Sequence, residues 1–216
     1  MVKIDRFRTP ILTPADTARH LAMPASTLYY WLSETTDGAE PLVHRVVPEK
    51  RGAPSVPFVA IVEAYVLRSL RELHFTKERI RHVASRVRRD FDTPYGLAAR
   101  RIATDGLDIF VDYAPGEMVR SGDGQLAFRE ILEEYLKYIS WEKGDEFPTR
   151  LTLRRYPDIA PVIIDPRFGW GAPVLAVSKA PVDAIVGLWR AGETMESVAE
   201  EYGMTRDAVE AICRAA

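Results

Sequence analysis

The side chains best equipped for specific polar contact lie in one short run, Ser26-Thr27-Leu28-Tyr29-Tyr30-Trp31. Hydroxyls and phenols so close together offer donors, acceptors and flat apolar rings, a set suited to base edges and phosphates. Cations at Arg19, Arg45, Lys50 and Arg51 flank the run. Such groups neutralise backbone phosphates, which positions a protein on a duplex without reading its sequence. Considered alone, Lys50 and Arg51 fit a solvated surface loop equally well. Covalent catalysis has less to work with. No Gly-x-Ser-x-Gly, Cys-x-x-Cys, His-Glu-x-x-His or phosphate loop is present, and His20, His44, His74 and His82 all lie in the first half. Asp105, Asp108 and Asp112 could in principle hold a divalent metal for a carboxylate-only nuclease. Their alternation is better explained as charged strand residues facing water. The expectation is a non-enzyme with no cofactor and no metal site.

The elements that must position these groups can be read from caps and spacing. Thr13 suits an N-cap, Pro14 the first helical turn, and Asp16 the positive end of the helix dipole. Ala15, Ala18 and Leu21 supply an apolar face, and a tight turn over 21–24 follows. In the next helix Leu28 and Leu32 face inward, leaving Ser26, Thr27, Tyr29 and Tyr30 outside. Two short helices joined by such a turn are the shape of a helix-turn-helix, which lays its second helix in the major groove. An ordinary helical hairpin has the same pattern.

Residues 1–12 read as an ordered lead-in anchored by Ile4, Phe7, Ile11 and Leu12. Leu42–Val47 is predicted as a strand and 48–57 as a loop holding Lys50, Arg51 and Gly52, the layout of a wing. A long helix is predicted from Pro57 to about Leu73, and another from its cap at Thr76 to about Phe91, with Ile80, Val83, Ala84 and Val87 inward. Further on, 107–112 and 117–120 read as strands, 125–139 as an amphipathic helix, and 148–156 as a strand. The last segment offers strands at 161–164 and 174–177 around a glycine-rich loop, then three short helices. Gly203 lies between the last two, with acidic residues where DNA would need cations. That second helix-turn-helix shape is read as a protein-contact surface. The fold class expected is α+β and mainly helical, divided as residues 1–103, 104–158 and 159–216.

The 216 residues carry a net charge of −2 and are 47% hydrophobic, as in a soluble globular chain. The small total conceals an asymmetry: residues 1–103 hold 17 Lys/Arg against 11 Asp/Glu, whereas 104–216 hold 12 against 20. Halves of opposite sign suggest that one meets an anionic polymer and the other does not. Apolar runs are too short to span a bilayer, and no signal-peptide core is seen, so no membrane partner and a cytoplasmic location are expected. The single cysteine, Cys213, fits a reducing compartment and, beside Ile212, a packed thiol.

Two family resemblances follow from these motifs. Ser26-Thr27-Leu28-Tyr29-Tyr30-Trp31 and Leu73-His74-Phe75-Thr76-Lys77-Glu78-Arg79-Ile80 are similar to signatures of the MerR family's winged DNA-binding domain, over roughly residues 10–90. No long coiled-coil helix with a cysteine effector site follows, which sets the chain apart from effector-sensing members. Residues 161–216 supply Asp165-Pro166, Gly171-Ala172-Pro173, Ala191-Gly192-Glu193, Glu196, Val198-Ala199, Tyr202 and Thr205. In that order they resemble the short helix-turn-helix antitoxin domain of VapB type. Where that family usually has Gly-Thr-Arg, this chain has Val177-Ser178-Lys179.

The second resemblance implies an antitoxin that neutralises a PIN-like ribonuclease toxin and binds operator DNA as a homodimer, repressing its own operon. Expected DNA contacts are Arg19, Ser26, Thr27, Tyr29, Tyr30, Arg45, Lys50 and Arg51. Expected dimer or partner contacts are Val162, Ile164, Trp170, Val174 and Val177, because short strands need a partner edge. The alternative is a MerR-like transcriptional regulator with no toxin partner.

Overall fold

The computed structural model describes residues 4–33, 38, 40–114 and 122–216, with side chains from 125 onward in the last stretch. Among them the fold is α+β and mainly helical, with one two-stranded and one four-stranded sheet. The first strand, β1 (Pro10–Leu12), pairs antiparallel with β2 (Val56–Pro57) and so clamps the helix-turn-helix between its two ends. Helix α1 (Pro14–His20) starts where Thr13 Oγ1 accepts from the Asp16 N–H at 3.1 Å. Thr17, Ala18, His20 and Leu21 form its inner face, while Ala15 is exposed, contrary to its expected place. The turn into α2 (Ala25–Leu32) bonds Ala22 N–H to Arg19 O at 3.1 Å and Met23 N–H to Ala18 O at 3.0 Å. This is a Schellman turn whose left-handed position is filled by Ala22 at φ 50°.

Helix α3 (Phe58–Glu72) is buried on every side from Phe58 to Leu67 and forms the axis of the molecule. A helix apolar all round can only be central. Helix α4 (Lys77–Asp90) instead buries one stripe, Ile80, Val83, Ala84 and Val87, as its spacing predicts. Two 3-10 turns (Gly96–Ala98 and Arg100–Ala103) lead to α5 (Asp105–Asp112) and then α6 (Gly122–Leu136). Helix α6 lies back on α3: Phe128 stacks on Phe75 at 6.0 Å, and Tyr65 donates to Tyr135 O at 2.7 Å. Strands β3 (Ile139–Ser140), β4 (Arg150–Thr152), β5 (Val162–Ile164) and β6 (Val174–Leu175) make an antiparallel sheet in that order. Helices α7 (Val182–Arg190), α8 (Met195–Tyr202) and α9 (Arg206–Ala215) close the chain. No described helix is long and apolar enough to cross a membrane.

The structure corrects several expectations. Residues 107–112 are helical, not a strand: Asp105, Asp108 and Asp112 at i, i+3 and i+7 share one helical face, while Leu107 and Phe110 are buried. Over so short a run a period of two cannot be told from one of 3.6. Residues 42–47 form no strand. They bend at Leu42 and Val43, with Val43 N–H bonded to Trp31 O and Val46 N–H to Ser55 O. The strand expected at 117–120 lies outside the described residues. The helix expected to reach 139 stops at Leu136, and Ile139 belongs to β3.

One continuous core runs from Leu12 to Ile212. It crosses both expected boundaries, and polar ties reinforce it. Arg6 reaches the Phe147 carbonyl at 3.0 Å and the Asp145 carboxylate at 2.8 Å. Arg155 donates to Arg19 O, the end of α1, at 2.6 Å.

Candidate nucleic-acid interface

Burial of Leu28, Trp31 and Leu32 sets the rotation of α2. A step of 100° per residue then carries Ser26, Tyr29, Tyr30 and Ser33 onto the opposite face. Ser26 is exposed and Thr27 half-buried, while Tyr29 and Tyr30 are 51% and 39% exposed. Tyr30 accepts from Arg81 Nη2 at 3.3 Å, and the Lys77 ammonium lies 5.4 Å from its ring centroid. Among the described residues Tyr29 makes no such contact with a side chain.

Two open hollows flank this helix on the side of the α3–α4 turn. One, of about 220 Å³, is lined by Ser26, Thr27, Tyr30, Trp31, Arg71 and Lys77. The other, of about 270 Å³, lies along the 22–24 turn and includes Arg68, Arg71 and Glu72. Arg68 is neutralised by Glu72 at 2.5 Å, but among the described residues Arg71 and Lys77 make no ion pair. The first hollow therefore presents hydroxyls, a guanidinium and an ammonium with no carboxylate in its lining. Arg71 and Lys77 were missed in the sequence because they lie on helices remote in the chain from α2.

On the other expected arm, the 46–55 loop is closed by Val46 N–H to Ser55 O at 2.8 Å and Ala53 N–H to Lys50 O at 3.0 Å. Gly52 turns it at φ 84°. Arg45, Lys50 and Arg51 are exposed there without ion pairs among the described residues. Arg19 is exposed too, but its guanidinium sits 3.1 Å from Asp16 Oδ1. Its charge is therefore partly answered within α1.

The C-terminal pair α8–α9 has the same backbone build with the opposite surface. Thr194 and Thr205 cap the two helices, and Gly203 at φ 62° carries the turn, with Met204 N–H bonded to Ala199 O at 2.8 Å. Glu193, Glu196, Glu200, Glu201 and Asp207 are exposed. Arg206 is taken up by Glu196 at 2.7 Å and Glu210 at 3.5 Å, and Arg214 by Glu210.

The expected partner contacts divide. Val162, Ile164 and Val174 are fully buried, because β5 is an inner strand paired with β4 and β6. The outer edge of β6 is covered by its own chain, through Leu175 N–H to Ala180 O at 2.9 Å and Val182 N–H to Pro173 O at 3.0 Å. These three side chains are inside the core and cannot meet another molecule. Trp170 (76% exposed, φ 55°) and Val177 (88%) remain on the surface. Among the described residues no cluster of three or more His, Cys, Asp or Glu side chains could hold a metal ion. Asp105 and Asp108 are held by Arg101 and Arg129. Cys213 is half-buried, and that burial raises its thiol pKa, keeping it protonated.

Two segments of the chain match known families. Residues 10–83 match a family described as "Putative DNA-binding HTH domain", which covers β1 to most of α4. Residues 162–214 match one described as "Protein of unknown function (DUF433)". A curated protein of Mycobacterium tuberculosis, "Putative antitoxin VapB45", is 34% identical over 231 aligned positions, covering 96% of this chain and 95% of that one. The crystal structure of Rv2018 from Mycobacterium tuberculosis superposes with a TM-score of 0.77 at 30% identity, over 96% of this chain and 99% of that one. With the likeness running through the helix-turn-helix, the sheet and the acidic end alike, the chain belongs to the family of this mycobacterial VapB45 protein.

Proposed function

We propose that the chain is an antitoxin that binds operator DNA through α1–α2 and neutralises a toxin by protein contact. The observation carrying the DNA half is the outward face of α2. Ser26, Tyr29 and Tyr30 stand clear of the core, framed on one side by Arg71 and Lys77 and joined to the loop that bears Lys50 and Arg51. This is the geometry in which a short helix reads base edges while flanking cations hold phosphates. On this reading the 46–55 loop serves as a wing, as in a MerR-like module. The helix-turn-helix match and the relative's name support the two halves of the reading.

The toxin is a PIN-like ribonuclease, and the acidic α7–α9 end suits a protein whose own surface must attract RNA. The operator complex contains a homodimer, whose two-fold axis matches half-sites about one helical turn apart. The chain acts in the cytoplasm, where its operon and toxin are.

Two measurements test this. Co-expression with the product of the adjacent gene should yield one co-eluting complex, and addition of the chain should stop RNA cleavage by that product. Mobility shifts with the chain's own upstream DNA should weaken by roughly tenfold or more for Tyr29→Ala with Tyr30→Ala. Independent elution of the two proteins would leave a regulator without a toxin. Unchanged shifts in the tyrosine variant would remove α2 from the reading surface.

A further inference from the structure

The 46–55 loop is rooted on a buried acidic side chain. Glu63 lies within the apolar run of α3, and its side chain is 0% exposed. Its carboxylate accepts from the His44 N–H at 3.0 Å and lies 2.9 and 3.0 Å from His44 Nδ1. The Tyr95 ring covers the imidazole, with centroids 4.5 Å apart. From α4, Arg88 donates to the carbonyls of Pro41 at 3.0 Å and Leu42 at 2.8 Å. Val43 N–H donates to Trp31 O at 3.0 Å, the last turn of the reading helix.

Residues 41–44 thus direct backbone polar groups to α2, α3 and α4, which is why no strand forms where one was expected. They also carry the chain into the loop that presents Arg45, Lys50 and Arg51. A carboxylate taken wholly out of water is costly unless paired and hydrogen-bonded. Removing either partner leaves an uncompensated group, so burial holds the two together.

We propose that Glu63, acting through His44, is the positioning residue of the DNA interface. It holds the wing at a fixed offset from α2, so that Lys50 and Arg51 meet phosphates in register with the side chains α2 presents. The inference rests on the DNA-binding reading above. Glu63 touches no nucleic acid; it spares the wing the ordering cost that a loose loop would incur on binding.

The test is a double-mutant cycle on the full chain, with a mixed-sequence DNA duplex as probe and anisotropy followed over a salt series. Lys50→Ala with Arg51→Ala should flatten the slope of log affinity against log salt by about two units, near 0.9 per lost phosphate contact. Glu63→Met with His44→Leu replaces the two side chains by apolar groups of similar volume and leaves the His44 N–H without its acceptor. It should flatten the slope by a similar amount, and combining all four changes should cost no more than either pair. Additive losses, or a cooperatively folded anchor variant with the wild-type slope, would overturn the proposal. Should that variant not fold, Glu63→Gln decides. Its amide holds His44 more weakly, so the wing-tip change should cost less affinity in that background than in wild type; equal cost overturns the proposal. A wild-type chain that shows no salt-dependent binding would overturn the DNA reading and this inference together.

Discussion

The α1–α2 and α8–α9 pairs are built by the same backbone device and present opposite chemistry. Each begins on a threonine cap and turns through a Schellman motif. The first shows hydroxyls and phenols beside Arg71 and Lys77, which make no ion pair among the described residues, whereas the second shows carboxylates that absorb the arginines near them. Caps and turns therefore specify that a helix-turn-helix forms, and surface charge decides what it can meet. Even the turn differs in economy. Gly203 occupies its left-handed position at little cost, while Ala22 occupies the equivalent one against the preference of an L-residue.

The comparison can be broken most forcefully at the inner residues. Leu28→Ala should cost about 3 kcal/mol in urea denaturation and abolish duplex binding, since Leu28 is fully buried and fixes the rotation of α2. Val209→Ala in α9 should cost about 2 kcal/mol yet leave duplex affinity unchanged. Loss of DNA binding in the Val209 variant would show that the two pairs are not separate surfaces.

Acid distinguishes the pairs next. His20, at the end of α1, is buried with Nδ1 unpartnered among the described residues. Burial, then the Arg19 charge, lowers its pKa to about 4. Between about pH 6.5 and 4 the unfolded chain binds a proton that the folded one refuses. Stability is full above that window and falls as pH drops through it. The loss reaches up to about 3 kcal/mol at the lower end. Denaturation midpoints of His20→Gln should fall less steeply over this window; parallel curves would remove the histidine from the account.

A smaller effect concerns charge. Arg71→Ala with Lys77→Ala should lower the salt slope of duplex binding by about two units, with affinity falling on the order of tenfold. Glu200→Lys with Glu201→Lys should leave that slope where it was. A steeper slope in the lysine variant would mean that α8 also lies against DNA. Last come the turns themselves. Ala22→Gly should stabilise by about 1 kcal/mol, and Gly203→Ala, whose added Cβ meets open space, should destabilise by a similar amount. Thermal melts of the two variants should move in opposite directions.

Much of this frame was legible in the chain because its causes are local. Thr13, Thr76 and Thr205 each cap a helix by accepting from the N–H three residues on. The inward pair Leu28 and Leu32 and the stripe Ile80, Val83, Ala84 and Val87 follow from helical period alone. The outward placement of Ser26, Tyr29 and Tyr30 was legible for the same reason. Where local signals are degenerate, reading failed. Leu107 to Asp112 fits two periods, and only the burial of Leu107 and Phe110 together in the folded chain selects the helix.

What the residues determined by themselves was therefore the set of capped helices, the apolar faces, and the charge split between the halves. Tertiary structure decided everything that depends on which distant groups meet. It made β5 an inner strand, sealing Val162 and Ile164, and it brought Arg71 and Lys77 beside α2. It also set Glu63 under the backbone of His44, nineteen positions away in the chain. Caps and period act over three or four residues, whereas these meetings depend on chain closure and shared burial, which no short window of residues contains.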